Sequence, residues 1–379
     1  MGEWEKTRLG DVIETNTISY SIKEGWKFVN YLDTGNITEN VVAEIQRIDL
    51  NTEKLPSRAK RKVHYNSILY STVRPNQRHY GIVKEQPENF LVSTGFTVID
   101  ADEFKVDADF LYFLLSQENL VELLHSIAEQ SVSTYPSIKA SDIENIEVEL
   151  PPLVEQKRIA SILNALSDKI RQNTEINKNL AEQVSSIYQA WFKDFCRFDG
   201  ICPQTWKQGV LADIATITSG KRPPIKSTNK TDKAMISLVG AASVMGYTSE
   251  ANHTDKILVT GRVGTHGIVQ RFNTPCWTSD NTLVITSDFY EYTYQILQRI
   301  DYKSLNRGST QPLITQGDMK KVAILLPDKD VLCEFEVLSG QLMSQYEANL
   351  QENSKLAELR DTLLPKLMSG ELDVSDIDL

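Results

Sequence analysis

The sequence predicts an α+β protein: two β-rich, mixed α/β domains in an internal repeat, separated by two long antiparallel helices that form a coiled coil. Three observations predict it. Segments of the first third recur in the same order in the second half. Each copy is followed by about 40 residues with an apolar position every seven. The pairs Leu150-Pro151 and Leu326-Pro327 mark where each helical stretch opens.

The first domain is assigned to residues 1–152. Its strand-like segments are Ile68 to Ser71, Gly81 to Val83 and Val92 to Ile99, and each has a counterpart: Ile257 to Thr260, Gly267 to Val269 and Thr278 to Ile285. Trp4, Leu9 and Asp11 match Trp206, Leu211 and Asp213 at an offset of 202. Thr134, Pro136 and Ile138 match Thr310, Pro312 and Ile314 at 176. Trp4 to Pro136 spans 132 positions and Trp206 to Pro312 spans 106, so the first domain carries 26 more residues. The matching segments are apolar framework. The differing ones are polar, basic and rich in Gly, Asn and Pro, the pattern of variable loops on a shared scaffold.

The first helix is assigned to 153–193, with Ile159, Leu166, Asn173, Leu180 and Ile187 on one seam. A linker, 194–205, leads into the second domain, 206–327. The second helix, 328–369, repeats the seam as Phe335, Leu342, Asn349, Leu356 and Leu363, with the polar residue at the same place. Paired antiparallel, the helices are expected to bring Asn173 opposite Asn349. A buried amide pair would fix the register, since slippage leaves each amide without a partner. At ~1.5 Å per residue each helix would be a spacer roughly 60 Å long. Pro365 should kink or stop the second one. An antiparallel pair also returns the end of the second helix to the start of the first domain. Residues 370–379 form an acidic tail.

Composition places limits on function. A hydrophobic fraction of 41% and a charged fraction of 24% are those of a globular chain. The sequence shows no membrane-length apolar run and no signal-peptide core, so the expected compartment is the cytoplasm. Cys196, Cys202, Cys276 and Cys333 lack metal-site spacing and are expected to be reduced. No Walker A sequence and no G-x-G-x-x-G after a strand is present, and Ser219-Gly220-Lys221 is a loop with one glycine. The five histidines are scattered, and His125 lies in an apolar helical stretch. No catalytic or metal constellation emerges, and no cofactor is expected on the chain itself.

The net charge of −11 argues against a polyanionic partner, but its distribution does not. From Lys54 to Lys84 there are eight Lys or Arg residues and no acid, and from Lys256 to Ser279 three, again with no acid. From Glu347 onward there are eight acids against three bases. Basic zones at matching places in a repeat nominate two DNA-binding surfaces. In the first domain the candidates are Lys60, Arg61, Lys62, Arg74, Arg78, His79 and Tyr80; in the second, Lys221, Arg222, Lys226, Lys230, Arg262, His266 and Arg307. Arg74 precedes Pro75, so its backbone is expected to be extended at a strand end and suited to a bidentate contact with guanine. Arg262 lies between Gly261 and Gly264, which allow close approach to a backbone. Thr134 and Thr310 read as structural. A scaffold that binds protein rather than DNA, its basic loops gripping acidic partners, is the alternative.

Several of these segments carry a family likeness. Trp4 with Leu9-Gly10-Asp11, Ser71 to Pro75, Gly240 to Tyr247, Gly261 to Thr265, Leu150 to Ile159, and the tail from Leu363 to Leu372 together resemble the specificity subunit of type I restriction–modification systems. The likeness covers essentially the whole chain. It implies two target-recognition domains, each reading one half of an asymmetric double-stranded DNA site, with the helices setting the gap. It also implies docking of two methyltransferase (modification) subunits and of motor-nuclease (restriction) subunits. S-adenosylmethionine, ATP and Mg are then expected only on those partners, which supply the adenine methylation and ATP-dependent cleavage. The second copy departs from the pattern, with Asp328 to Val331 in place of Pro152 to Arg158, so docking at that end is expected to be less regular.

Overall fold

The computed structural model describes residues 4–130, 136–308 and 312–374. Thr134, Thr310 and the tail residues 375–379 lie outside them. Two compact units form, residues 1–172 with 352–379 and residues 173–351. Each long helix therefore gives one part to each unit.

The first unit begins with β1 (Glu5–Arg8), β2 (Ile13–Thr15) and β3 (Phe28–Leu32), then β4 (Ile37–Thr38) and β5 (Val41–Val42). β6 (Gln46–Asp49), β7 (Ala59–Arg61), β8 (Ile68–Ser71), β9 (Tyr80–Ile82), β10 (Phe90–Ser93) and β11 (Phe96–Ala101) follow. Helices α1 (Ala108–Ser116), α2 (Glu118–Glu129) and α3 (Ala140–Glu144) precede β12 (Glu147–Leu150) and the long helix α4 (Leu153–Phe192). β2-β11-β8-β9 is an antiparallel sheet; β6-β3-β10-β7 is mixed, with β3 and β10 parallel. Every residue of β8 and β10 is buried, which is why both read as continuous apolar runs rather than alternating ones. β1 and β12 pair alone, Glu5 facing Leu150.

In the second unit the order is β13 (Lys207–Val210), β14 (Thr216–Ser219), β15 (Ile236–Val239), β16 (Val244–Thr248), β17 (Ile257–Gly261), β18 (Gln270–Phe272), β19 (Cys276–Thr278) and β20 (Thr282–Thr286). Then come α5 (Tyr290–Leu297), α6 (Tyr302–Leu305), α7 (Gln316–Lys320), β21 (Ala323–Leu326) and the long helix α8 (Lys329–Met368). The repeat is visible strand for strand. β13-β21 matches β1-β12, β14-β20-β17-β18 matches β2-β11-β8-β9, and the parallel pair β15-β19 matches β3-β10. Most of the extra residues of the first copy lie between β3 and β8, where the β4–β5 ribbon, β6 and β7 stand against β16 alone, and others after β11, where α2 is longer than α6.

Two sequence matches shift register. Gly81 faces Leu69, but the residue facing its sequence match Leu258 is Arg271, not Gly267, so β18 and not Gly267 to Val269 takes the place of β9. Likewise Ile99 faces Ile68 while Ile285 faces Leu258, one residue on from the sequence match. Apolar runs fix which strands correspond, but a one-residue slip in such runs costs little pattern.

Inside each unit the long helices run antiparallel. In the first, Ile159 and Leu163 share a core with Leu367 and Met368. In the second, Phe192 packs on Tyr188, Tyr292 and Phe335, at ring distances of 5.4, 4.8 and 5.1 Å. Asn173, Asn177 and Asn349 are all buried. Asn349 donates to Asn177 at 2.8 Å, one turn along from Asn173, and accepts from Gln345 at 2.7 Å. Side chains lean toward the N-terminus of their own helix. Across an antiparallel pair the two amides lean in opposite directions and meet about a turn away from the facing position. Asn177 also donates to the Tyr346 carbonyl at 3.1 Å.

The two repeat tryptophans close the ends of the long helices. Trp206 is ringed by Phe192, the last residue of α4, and by Phe195 and Phe198 after it. Trp4 packs against Gly370 after α8, in a core that includes Leu372 and Val374. The second helix thus returns to the start of the first domain. Pro365 does not stop α8, which runs on to Met368. It stands in the last turn, where one missing donor breaks one bond, and its own carbonyl still accepts from Ser369.

Candidate nucleic-acid interface

Corresponding loops leave β8 and β17, and they are held alike. The Arg74 amide donates to the Pro136 carbonyl at 3.1 Å, and the Gly264 amide to the Pro312 carbonyl at 3.1 Å. Ile138 donates to Thr72 and Ile314 to Arg262 at 2.8 and 2.9 Å. The repeat therefore equates Arg74 with Gly264 and Thr72 with Arg262. The two arginines singled out from sequence are not counterparts.

Arg74 is left-handed, φ 48° and ψ 69°, rather than extended as its place before proline suggested. The bond to Pro136 and the return bond from Gln77 to the Arg74 carbonyl (2.8 Å) turn the chain there. Its counterpart Gly264 has φ +86°, a conformation that suits glycine. An exposed arginine thus occupies a backbone position that the other copy gives to glycine. Strain of this kind concentrates where a side chain is needed in place. Gly261 has a different reason: a Cβ there would stand 1.8 Å from the Thr265 carbonyl, so the loop folds back on itself.

Other candidates divide into open and balanced cations. Lys60 is exposed on β7, and Arg61 beside it is half-buried with its Nε lacking a hydrogen-bond partner; burial holds its pKa below the ordinary arginine value. Residues 18–20 run alongside, Tyr20 donating to the Lys60 carbonyl and Lys62 to the Ile18 carbonyl. In the second unit Lys221, Arg222, Lys226 and Lys230 are exposed along one strap. Ser227 in that strap bridges to Tyr247 of β16, and Trp277 donates to the Lys221 carbonyl at 2.8 Å. Burial, then the Lys221 charge, lowers the pKa of His253 at this spot. Arg262, on the loop after β17, is half-buried. Arg47 joins the open cations, its guanidinium 4.1 Å from the Phe28 ring centre. Glu44 and Asp49 flank it in the sequence, so it stands in no acid-free run.

Five candidates are engaged in contacts within the unit. Tyr80 is a correction: at 4% exposure it stacks on Tyr70, 5.6 Å away, because α1 covers β9. Lys62 pairs with Glu24 at 2.5 Å. Arg78 is held by both Glu39 and Glu118, and Arg307 by Asp318. The His79 Nδ1 lies 2.6 Å from the Ile37 carbonyl. His266 sits between these groups, with Nδ1 3.1 Å from the Gly261 carbonyl and Nε2 buried without a partner.

What these loops can do is hold phosphates and reach base edges, the two requirements of duplex recognition. No group of three metal-ligating side chains occurs among the described residues, and no helix there is long and apolar enough to cross a membrane.

Comparison with known proteins agrees with this arrangement. A family model for the type I restriction modification DNA specificity domain matches residues 1–182 and 203–360. The type I restriction enzyme HindI specificity subunit of Haemophilus influenzae is 24% identical, with 98% of this chain and 100% of the relative covered. The MjaIX specificity subunit of Methanocaldococcus jannaschii is 25% identical, with 99% and 95% covered. The crystal structure of the S subunit of a type I restriction–modification system from M. genitalium shares the fold, with a TM-score of 0.61 at 16% identity over 97% of this chain and 96% of that one.

Proposed function

The chain belongs to the type I restriction modification DNA specificity family, and from that premise we propose how it reads DNA. The first unit contacts one half of a bipartite, asymmetric duplex site through Arg74, Lys60 and Arg61. The second contacts the other half through Arg262 and the Lys221 to Lys230 strap. The observation that supports this most is the pair of equivalent loops at Arg74 and Gly264, held by the same backbone bonds but differing in side chains. A shared frame with different residues at one position gives each half its own preference.

The long helices set the gap between half-sites and dock two methyltransferase subunits, to which motor-nuclease subunits add. Methyl transfer and cleavage belong to those partners, with their S-adenosylmethionine, ATP and Mg, in the cytoplasm where the DNA is. The chain itself supplies recognition.

Competition binding separates the parts. Arg74→Ala should weaken only the first half-site and Arg262→Ala only the second, each by ~1–3 kcal/mol if the contact is to a base. Equal loss on every duplex would reduce both residues to phosphate holders, and absence of any salt-dependent duplex binding would favour a protein scaffold.

A further inference from the structure

Behind the second reading loop lies a buried charged cluster. Arg271, in the middle of β18, donates to both carboxylate oxygens of Glu291 on α5, at 2.6 and 2.7 Å. A third bond reaches Glu347 of α8 at 2.9 Å. The guanidinium also lies 4.9 and 4.7 Å from the ring centres of Tyr290 and Tyr294. Farther back on α8, Glu336 accepts from the amides of Glu291 and Tyr292 at 3.0 and 2.8 Å, at the start of α5. A carboxylate there meets the positive end of the helix dipole.

Two carboxylates of α8 thus hold α5 and β18 together. The loop from Arg262 to Val269 runs directly into β18, so its exit is tied to α8 through Arg271. The first unit is built differently. The position of Arg271 is taken there by Ile82, and Asp109 of α1 pairs instead with Lys84, just after β9, at 2.8 Å. Its long helix adds a neutral amide, with Gln156 Oε1 accepting from Asp107 at 2.8 Å and Nε2 donating to the Pro151 carbonyl at 2.8 Å. Replacing a buried ion cluster by apolar residues is often neutral or stabilising. Stability alone therefore does not account for two carboxylates on one guanidinium and a third on the amides beside it.

We propose that Glu336 and Glu347 are positioning residues for the second half-site: through Arg271 and the start of α5 they fix the β17–β18 loop against DNA. This rests on the assignment of that loop to DNA. The test uses the chain with its methyltransferase subunit, a duplex bearing the methylated site, and two duplexes with one half scrambled. Glu336→Leu and Glu347→Leu should each reduce discrimination against the second-half scramble by about tenfold and leave the first half unchanged. Glu336→Gln and Glu347→Gln, which keep an oxygen acceptor in place, should hold most of the wild-type discrimination. Arg271→Lys keeps the charge but loses the fork, and should likewise reduce second-half discrimination, so it carries the test where a leucine variant fails to fold. Equal loss on both halves, or glutamine variants as impaired as leucine ones, overturns the proposal. A wild-type complex that ignores both scrambles overturns the DNA assignment itself, and this proposal with it.

Discussion

Replacing Arg74 by alanine and, separately, by glycine isolates the backbone strain from the side chain's role. Both variants lose the guanidinium and whatever it contacts, so their difference reports the left-handed backbone at φ 48°. A non-glycine residue there costs about 1–2 kcal/mol. Glycine returns about 0.4–1 kcal/mol of that through its greater freedom in the unfolded chain. The glycine variant should therefore be the more stable by about 0.5–1 kcal/mol, read as a higher urea midpoint at unchanged slope. Both should lose the same first-half-site affinity, by ~1–3 kcal/mol for a base contact. An alanine variant as stable as the glycine one would refute the left-handed assignment. Unequal affinities would show that loop shape, not the arginine, reads the half-site.

Further tests follow from the packing. Phe192→Ala, at a side chain 2% exposed among aromatic neighbours, should cost ~3–5 kcal/mol in urea unfolding. Asn349→Leu strips the buried Asn177 oxygen of its donor and should cost ~1–3 kcal/mol; the double Asn177→Leu, Asn349→Leu variant should recover stability while loosening helix register, read by crosslinking. Glu336 is pushed up to about 7 by burial, with Glu291 adding to the rise and two backbone amides and Arg271 opposing it. The folded state then holds this proton more tightly than the unfolded one, so stability should fall as pH climbs from about 4.5 to 7, each pH step of one costing at most ~1.4 kcal/mol. Glu336→Gln should remove that slope in pH-dependent thermal unfolding. One heptad inserted into each long helix should lengthen the gap between methylated half-sites; an unchanged gap removes the spacer role.

The long helices were legible because a seven-residue apolar period over 40 residues has few other solutions. The contact of Asn349 with Asn177 was not, since the lean of these amides is a side-chain property invisible to a seam drawn from sequence positions. Strand correspondence could be read, but its register could not, because β8 and β17 are apolar on both faces. The interface was legible only in outline. Glu39 and Glu118 lie 39 and 40 residues from Arg78, and Asp318 lies 11 from Arg307 across an intervening turn, so only folding brings each acid to its cation. Tyr80 reads as exposed next to His79, yet α1 covers it. At Arg74 the tertiary bond to Pro136 overrides the local preference of a residue before proline.

Base-resolution methylation mapping bears most directly on two-part reading, in cells carrying the methyltransferase subunit with either the natural chain or one whose residues 206–327 come from a relative. The expected result is a split site in which one half changes and the other half stays as it was. A site that changes in both halves, or one contiguous sequence with no gap, would contradict independent reading by the two domains.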